Sequence, residues 1–251
     1  QEQRLFRRLS VFVGGCTLEA AEAVCQGEGE KGLDILEGLT SLLDKSLVQQ
    51  TAQEDEEPRL MLLETISEYG RECLQAEGEL LAAQRAHTTY YLQLAEEAEP
   101  HLKGPEQAAW QERLEPEHQN LRTAIEWALS SGQSALALRI SSAIWLFWLR
   151  LGYPREGGDL LEQVLAGSEA APAPLRAKAF QAAGALAFTQ QDFRKYGQII
   201  EASQPVFQEL GDQQVMALAR LSQEMIALMQ YPDVAVWRRL EESLADLRKY
   251  G

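Results

Sequence analysis

Three histidines and three cysteines are the residues of this sequence best suited to acid–base, nucleophilic or metal chemistry. His87, His101 and His118 are scattered, with no cysteine or carboxylate set at the spacing that a metal site needs. His87 lies four residues before Tyr91 on the apolar face of a predicted helix, and it reads as a hydrogen-bonded core histidine. His118 sits near a helix start, where a surface or capping role is expected. Cys16, Cys25 and Cys73 form no paired framework, so reduced thiols are the simplest reading. Cys16 and Cys25 flank one short helix and read as small buried hydrophobes. Gly27, Gly29 and Gly32 share a loop without the lysine and hydroxyl of a phosphate-cradling Gly-x-x-x-x-Gly-Lys-Ser/Thr segment. There is no Gly-x-Ser-x-Gly elbow and no His-Glu-x-x-His pair. The expectation is a chain with no catalytic residue, no metal site and no cofactor of its own. One set of side chains does suit ligand binding: Trp110, Trp127, Trp145, Trp148 and Tyr153, since aromatic clusters line small-molecule sites. At helical spacing such residues are core by default, which makes the pocket a speculative ligand or partner site.

The elements that must position these residues are almost all helical. Leu5, Phe6, Leu9 and Phe12 form one stripe of a first helix over 4–12, ended by Gly14-Gly15. Thr17 caps a second helix running to about Val24, with an incomplete capping box because Ala20 stands where Glu or Gln would complete it. A third helix begins near Asp34, with Leu33, Leu36, Leu39, Leu42 and Leu43 as its expected buried face. Residues 46–50 read as a strand, 54–58 as a charged turn and 59–63 as a returning strand. Three helices and a hairpin is the winged-helix order. A helix from about Thr65 to Ala76, stopped by Gly78, closes that module. Helices then follow to the end. One starts near Leu81 and is disrupted at Glu99-Pro100. Pro105 opens the next, and Pro116 begins another that buries Leu121, Ile125, Ala128 and Leu129. Ser134 caps a nearly all-apolar helix to about Leu151, whose partner spans 156–166. Ala171-Pro172-Ala173-Pro174 reads as a linker. Residues 175–211 and 215–251 then repeat a helix pair with a 40-residue offset, matching Gln190 to Gln230, Ile200 to Leu240, Phe207 to Leu247 and Gly211 to Gly251. The expected fold is mainly α: a winged-helix-like module (1–80), a helical array or connector (81–170), and tetratricopeptide-like repeats (171–251) continuing a right-handed α-superhelix of helix hairpins.

Composition narrows the function classes. The 251 residues are 45% hydrophobic and 24% charged, and Ala, Leu, Glu and Gln dominate. The formal net charge is −15, and the first 80 residues hold seven Lys or Arg against seventeen Asp or Glu. Phosphate backbones are bound by Lys and Arg through counterion release, so direct nucleic-acid contact is not expected. The third helix stands in the recognition position yet offers Asp34, Glu37 and Asp44, with Lys45 only at its end; packing is its expected role. The longest apolar stretch, around Ala143 to Leu149, falls short of the roughly 18 residues of a membrane span. No signal peptide is evident, so a cytoplasmic location is expected, and the sequence reads as a piece of a longer protein.

Three segments carry a resemblance. Leu5-Phe6-Arg7-Arg8-Leu9-Ser10-Val11-Phe12-Val13-Gly14-Gly15, Leu39-Thr40-Ser41-Leu42-Leu43-Asp44-Lys45-Ser46-Leu47-Val48 and Leu62-Leu63-Glu64-Thr65-Ile66-Ser67-Glu68-Tyr69-Gly70 are similar to the winged-helix region of bacterial STAND-type ATPase regulators. Glu117-His118-Gln119-Asn120-Leu121-Arg122-Thr123-Ala124-Ile125-Glu126-Trp127 resembles the helical segment that follows it there. The family includes relatives of the maltose-regulon activator and the NB-ARC immune proteins. The resemblance implies an upstream nucleotide-binding domain, outside this chain, that holds ATP or ADP. It also implies that the winged module relays nucleotide state while the repeats sense an effector or partner. Immune-type relatives place Met-His-Asp at the end of the module, its histidine on the ADP phosphate. Here the triplet aligns with Leu62-Leu63-Glu64, so the nucleotide-sensor position falls on Leu63 and Glu64. Leu63 has no donor for a phosphate, and burial beside the hairpin is the preferred role for Glu64. The functional expectation is a non-catalytic signal-transduction fragment, partnered by the nucleotide-binding domain of its own parent chain. The alternatives are a protein-interaction scaffold and, third, a DNA-binding winged helix.

Overall fold

In the computed structural model the described residues are 1–26, 34–51, 58–211, 213–230 and 233–249. They fall into two compact units, Gln1–Gly132 and Gln133–Gly251. The first unit holds helices α1 (Glu2–Leu9), α2 (Leu18–Cys25) and α3 (Ile35–Asp44), then strands β1 (Gln49–Thr51) and β2 (Arg59–Met61). Helices α4 (Glu64–Ala76), α5 (Leu80–His101) and α6 (Gln107–Leu114) come next. A single 3-10 turn, Glu115–Glu117, leads into α7 (His118–Ser130). The order is that of a winged helix with further helices packed onto it. The helical stretch 81–132, expected as part of a separate connector, lies in the same unit as the winged module.

Local chemistry explains the starts. Thr17 accepts a hydrogen bond from the Ala20 amide at 3.1 Å, and Asp34 accepts one from the Glu37 amide at 3.0 Å. The first stripe buries Leu5, Leu9 and Phe12, although α1 itself stops at Leu9 and Phe12 follows in the turn. On α3 the buried face is Ile35, Leu39 and Leu42, a strict i, i+4, i+7 row. Leu36, expected inside, is 57% exposed, because it lies one residue round from that row. Leu33 and the charged turn up to residue 57 lie outside the described residues. β1 and β2 pair antiparallel with Gln50 opposite Leu60. On the other edge of β2, Cys16 exchanges two backbone bonds with Leu60, of 3.0 and 2.8 Å. That approach requires glycine beside it. Gly15 has φ +84°, and a Cβ there would lie 2.7 Å from the Leu60 carbonyl oxygen. Pro100 falls within the last turn of α5, so the expected break at Glu99-Pro100 comes one residue later, after His101.

The second unit is a run of helix hairpins: α8 (Ser134–Arg150) with α9 (Pro154–Ala166), α10 (Ala173–Thr189) with α11 (Phe193–Leu210), and α12 (Gln213–Gln230) with α13 (Val234–Leu247). α10 and α12 start 40 residues apart, as the repeat predicts. Gln230 and Gly251 lie where side chain or backbone is outside the described set. Ala171-Pro172-Ala173-Pro174 is no linker. Ala171 and Ala173 are buried, and α10 begins at Ala173 with Pro174 in its first turn, where a missing amide hydrogen costs nothing. Ser134 begins α8 but does not cap it: Gln133 holds that position without a side-chain bond. Successive hairpins are tied by polar contacts. Gln190 Nε2 donates to the Pro154 carbonyl at 2.9 Å, Lys195 lies 2.9 Å from Asp159 and 3.1 Å from Glu162, and the Tyr196 hydroxyl bonds Ser222 at 2.8 Å.

Within the first hairpin the fit is tight at one point. Trp148 is fully buried, and its indole lies against Gly157 so closely that a Cβ there would stand 2.5 Å from the ring. Gly157→Ala is therefore expected to push the indole off its packed position and destabilise the second unit by about 1–3 kcal/mol. Urea unfolding followed by tryptophan fluorescence checks this; an unchanged midpoint would show that the hairpin yields at that point.

Candidate functional site

Five side chains from separate elements of the first unit converge on one buried polar knot. Arg59 comes from β2, His87 and Tyr91 from α5, Glu117 from the 3-10 turn and Asn120 from α7. Glu117 is buried and accepts from Arg59 Nη1 through one carboxylate oxygen. Through the other it accepts from the Tyr91 hydroxyl at 2.6 Å and from Asn120 Nδ2 at 3.0 Å. Asn120 Nδ2 also donates to the Gly15 carbonyl at 2.9 Å, and its Oδ1 accepts from the Val13 amide at 2.8 Å. Oδ1 is 3.3 Å from His87 Nε2 as well, so that nitrogen must carry the hydrogen and Nδ1 must not. Arg59 Nη2 reaches the carbonyls of Gly15 at 3.0 Å and Pro116 at 3.2 Å. The wing, the turn between α1 and α2, and the helices α5 and α7 thus share one hydrogen-bond network.

Burial decides the charges. His87 is 2% exposed, packed against Phe12 and Tyr91 with ring centroids 5.3 and 4.6 Å away, and burial pulls its pKa down to about 4. The Asn120 bond and the Glu117 charge oppose that pull and lose. Burial and the neighbouring carboxylate hold the Tyr91 phenol well above its usual range. Cys16 is held protonated by burial, then by Cys25 and Glu117, and burial pushes Cys25 up to about 12. Neither thiol is poised as a nucleophile. Among the described residues no group of three or more His, Cys, Asp or Glu is placed to hold a metal ion. No described helix is long and apolar enough to cross a membrane. The network's chemistry is mechanical: one carboxylate balances one guanidinium, and every bond crosses between elements.

The other candidate residues fall elsewhere. Leu63 and Glu64 border a cleft of about 510 Å³ that Phe12, Leu62, Glu68 and Arg71 also line. Leu63 is 51% exposed and caps α4 without a side-chain bond. Glu64, expected to be buried beside the hairpin, is exposed as the first residue of α4, between Leu63 and Thr65, which are exposed as well. An aliphatic side chain and a carboxylate do not fit a phosphate, so these residues do not suit direct contact with ADP. Trp110 stacks on His101 at 5.0 Å, with the Arg113 guanidinium 4.7 Å from the Trp110 ring centroid. Trp127 lines a smaller cavity in the same unit. In the second unit Trp148 is core, Trp145 is half-buried, and Tyr153 lies 6.1 Å from Phe147 and borders a depression with Arg155 and Gln190. His87 is the hydrogen-bonded core histidine expected, whereas His118, expected in a surface or capping role near a helix start, is buried as the first residue of α7. Arg59, Glu117 and Asn120 were not anticipated. The available signal was a glutamate and an asparagine three residues apart, just ahead of the apolar row Leu121, Ile125 and Ala128.

Comparison with known proteins agrees with the first unit. Residues 1–75 match the family model described as a winged helix-turn-helix domain. Proteins of Mycobacterium bovis and Mycobacterium tuberculosis named "Putative HTH-type transcriptional regulator" are 36% identical over 164 residues, which is 65% of this chain and 18% of each relative. The chain therefore spans 18% of the length of the curated relatives that it matches. A signal transduction ATPase with numerous domains and a tetratricopeptide repeat sensor, from Pyrococcus horikoshii, aligns over all of this chain and 45% of its own. That alignment has a TM-score of 0.39 and 14% identity.

Proposed function

From the premise that residues 1–75 form a winged helix-turn-helix domain, we propose that this chain is a non-catalytic coupling fragment of a cytoplasmic signal-transduction ATPase. It passes the binding of an effector or partner on its helical array to a nucleotide-binding domain of the same parent chain. ATP or ADP belongs to that domain. Coupling through this chain runs across protein surfaces, since Leu63 and Glu64 offer nothing to a phosphate.

The observation that carries the reading is the buried network around Glu117. A wing held only by its hairpin could move independently. Here Arg59, Gly15 and Val13 are bonded to Glu117 and Asn120, so the wing and α5–α7 move as one. A two-state element whose equilibrium both sites bias is what coupling requires. The test uses the full-length parent with Tyr91→Phe, which removes one bond and leaves the core volume nearly intact. The effector concentration for half-maximal response should shift by about tenfold or more, with effector affinity for the array unchanged. An unshifted response would remove the coupling role. The purified chain should turn over no ATP; turnover sensitive to Glu117→Gln would overturn the non-catalytic reading.

Duplex binding is the reading suggested by the names of the mycobacterial relatives. The outward side chains of α3 speak against it: Leu36, Glu37, Thr40 and Asp44 are exposed, and Lys45 is engaged by Glu2 at 2.5 Å. The purified chain is expected to leave duplex DNA unshifted even at low ionic strength, where nonspecific binding is strongest. A salt-dependent shift lost in Lys45→Glu would reverse that conclusion.

A further inference from the structure

Helix α13 carries two apolar faces, where a surface helix of a packed array needs one. Val236 and Leu240 are buried on the side that packs on α12. Val234, Trp237 and Leu244 recur at helical spacing and form a second stripe. They are 74%, 53% and 37% exposed. The exposed Glu241 sits within that stripe, and the exposed Arg238 flanks it. Apolar surface rimmed by charge marks an interaction site.

The repeat indicates what a following hairpin does to such a face. Forty residues earlier, on α11, the same positions hold Arg194, Gly197, Glu201 and Gln204, and α12 packs on α11. With α12 in place Arg194 and Glu201 remain exposed, while Gly197 and Gln204 are half-buried. The row therefore keeps an open side when another hairpin stacks on its helix. On α11 that row is polar. On α13 tryptophan and leucine stand where α11 has glycine and glutamine, and stacking of hairpins does not call for them.

The charges select the occupant. Arg238 lies in the first half of α13 and Glu241 in the second, with Asp233 before the helix and Arg248 after it. Let a second α13 lie antiparallel, with Trp237 opposite its Leu244. Asp233 then falls opposite Arg248 of the second copy. Arg238 falls two residues, or about 3 Å along the axis, from Glu241 of the second copy, within reach of an arginine. A two-fold axis repeats each of these pairs. A parallel arrangement sets Arg238 on Arg238 and Glu241 on Glu241, which repels.

We propose that two copies of this chain pair through α13, antiparallel about a two-fold axis, with Trp237 of each on Leu244 of the other and Arg238 beside Glu241. Two helices of 14 residues each bury less than the roughly 1,200 Å² at which standard interfaces begin, so the dimer is weak and reversible. The proposal stands apart from the coupling reading, because self-association is measured on the chain itself.

Sedimentation equilibrium of the purified chain between about 1 μM and 1 mM should show monomer giving way to dimer. Arg238→Glu and Glu241→Arg should each weaken association by about tenfold or more. An equal mixture of the two variants should associate as the unaltered chain does, and so should the double exchange Arg238→Glu with Glu241→Arg. Rescue by mixing is expected only of a pairing that sets position 238 against position 241. Trp237→Ala should weaken the dimer by about tenfold or more as well. All these side chains are exposed, so the thermal midpoint of each monomer should stay near that of the unaltered chain. The full-length parent should show the same loss and rescue. A monomer at every concentration, a dimer indifferent to both charge reversals, a mixture no stronger than either variant alone, or self-association of the chain that the parent lacks would each overturn the proposal.

Discussion

Glu117→Ala is expected to destabilise the first unit by about 3–5 kcal/mol, more than any other single substitution in the network. The reason is what it strands. Arg59, whose side chain is only 15% exposed, loses its counter-charge, and the fully buried Tyr91 hydroxyl loses its acceptor. Asn120 Nδ2 loses one of its two partners. An uncompensated buried charge costs more than the intact pair contributes, and this asymmetry separates a network from ordinary packing. Two further variants test it. Glu117→Gln keeps the shape and an acceptor and should cost less than alanine. Arg59→Met combined with Glu117→Leu removes both charges and should be more stable than Glu117→Ala alone, although Tyr91 remains unsatisfied. Chemical denaturation gives all three values. If Glu117→Ala costs under about 1 kcal/mol, the level of an exposed ion pair, the wing is not held in the way described and the coupling reading loses its support. Hydrogen exchange adds a local readout: the Leu60 and Cys16 amides, which bond across the wing edge, should lose protection together with α7.

The elements were more legible than the site, and the residues show why. Thr17 and Asp34 announced their helices because capping needs a short polar side chain at one position, and that is a local property. The stripe of Leu5, Leu9 and Phe12 was equally local. Leu36 was misplaced because α3 is rich in leucine. When nearly every apolar position looks suitable, periodicity alone does not say which row faces inward, and Ile35 decided the matter by packing. The Ala-Pro-Ala-Pro stretch looked like a linker because proline breaks helices in their interior. It also starts them, and only contact with neighbouring helices distinguishes the two roles. Glu117 and Asn120 could be seen as polar residues ahead of an apolar row. Their partners could not, since Arg59 lies 58 positions away and Val13 lies 107. A network whose members meet only in three dimensions leaves no spacing to read. His87 was the partial exception: Tyr91 one turn on marked it as interior, although nothing local pointed to Asn120.

That histidine gives a pH dependence with a definite sign. In the unfolded chain His87 takes up a proton near pH 6.5, while in the folded chain burial delays uptake to about pH 4. Between those values the unfolded state binds more protons, so falling pH favours unfolding. The stabilisation is fully present above about pH 6.5, declines below it and is gone by about pH 4, a loss of about 3 kcal/mol from this residue. The charged and titratable groups around it do not reverse the sign. Glu117 favours the protonated form but is already engaged by Arg59 and Tyr91, and Arg71 and Glu126 sit at the rim of the adjoining cavity with opposite charges. Protonation would also put a second hydrogen on the ring, at Nδ1, inside a packed aromatic cluster with Phe12 and Tyr91. Other groups titrate in the same range, so the measurement is a difference. The stability of the parent minus that of His87→Gln, from urea unfolding at successive pH values, should shrink by about 3 kcal/mol between pH 7 and pH 4. Parallel curves would mean that His87 takes up its proton as readily in the folded chain as in the unfolded one. The Nε2–H to Asn120 bond would then be one of two donated bonds, and the neutral core assigned to the network would be wrong.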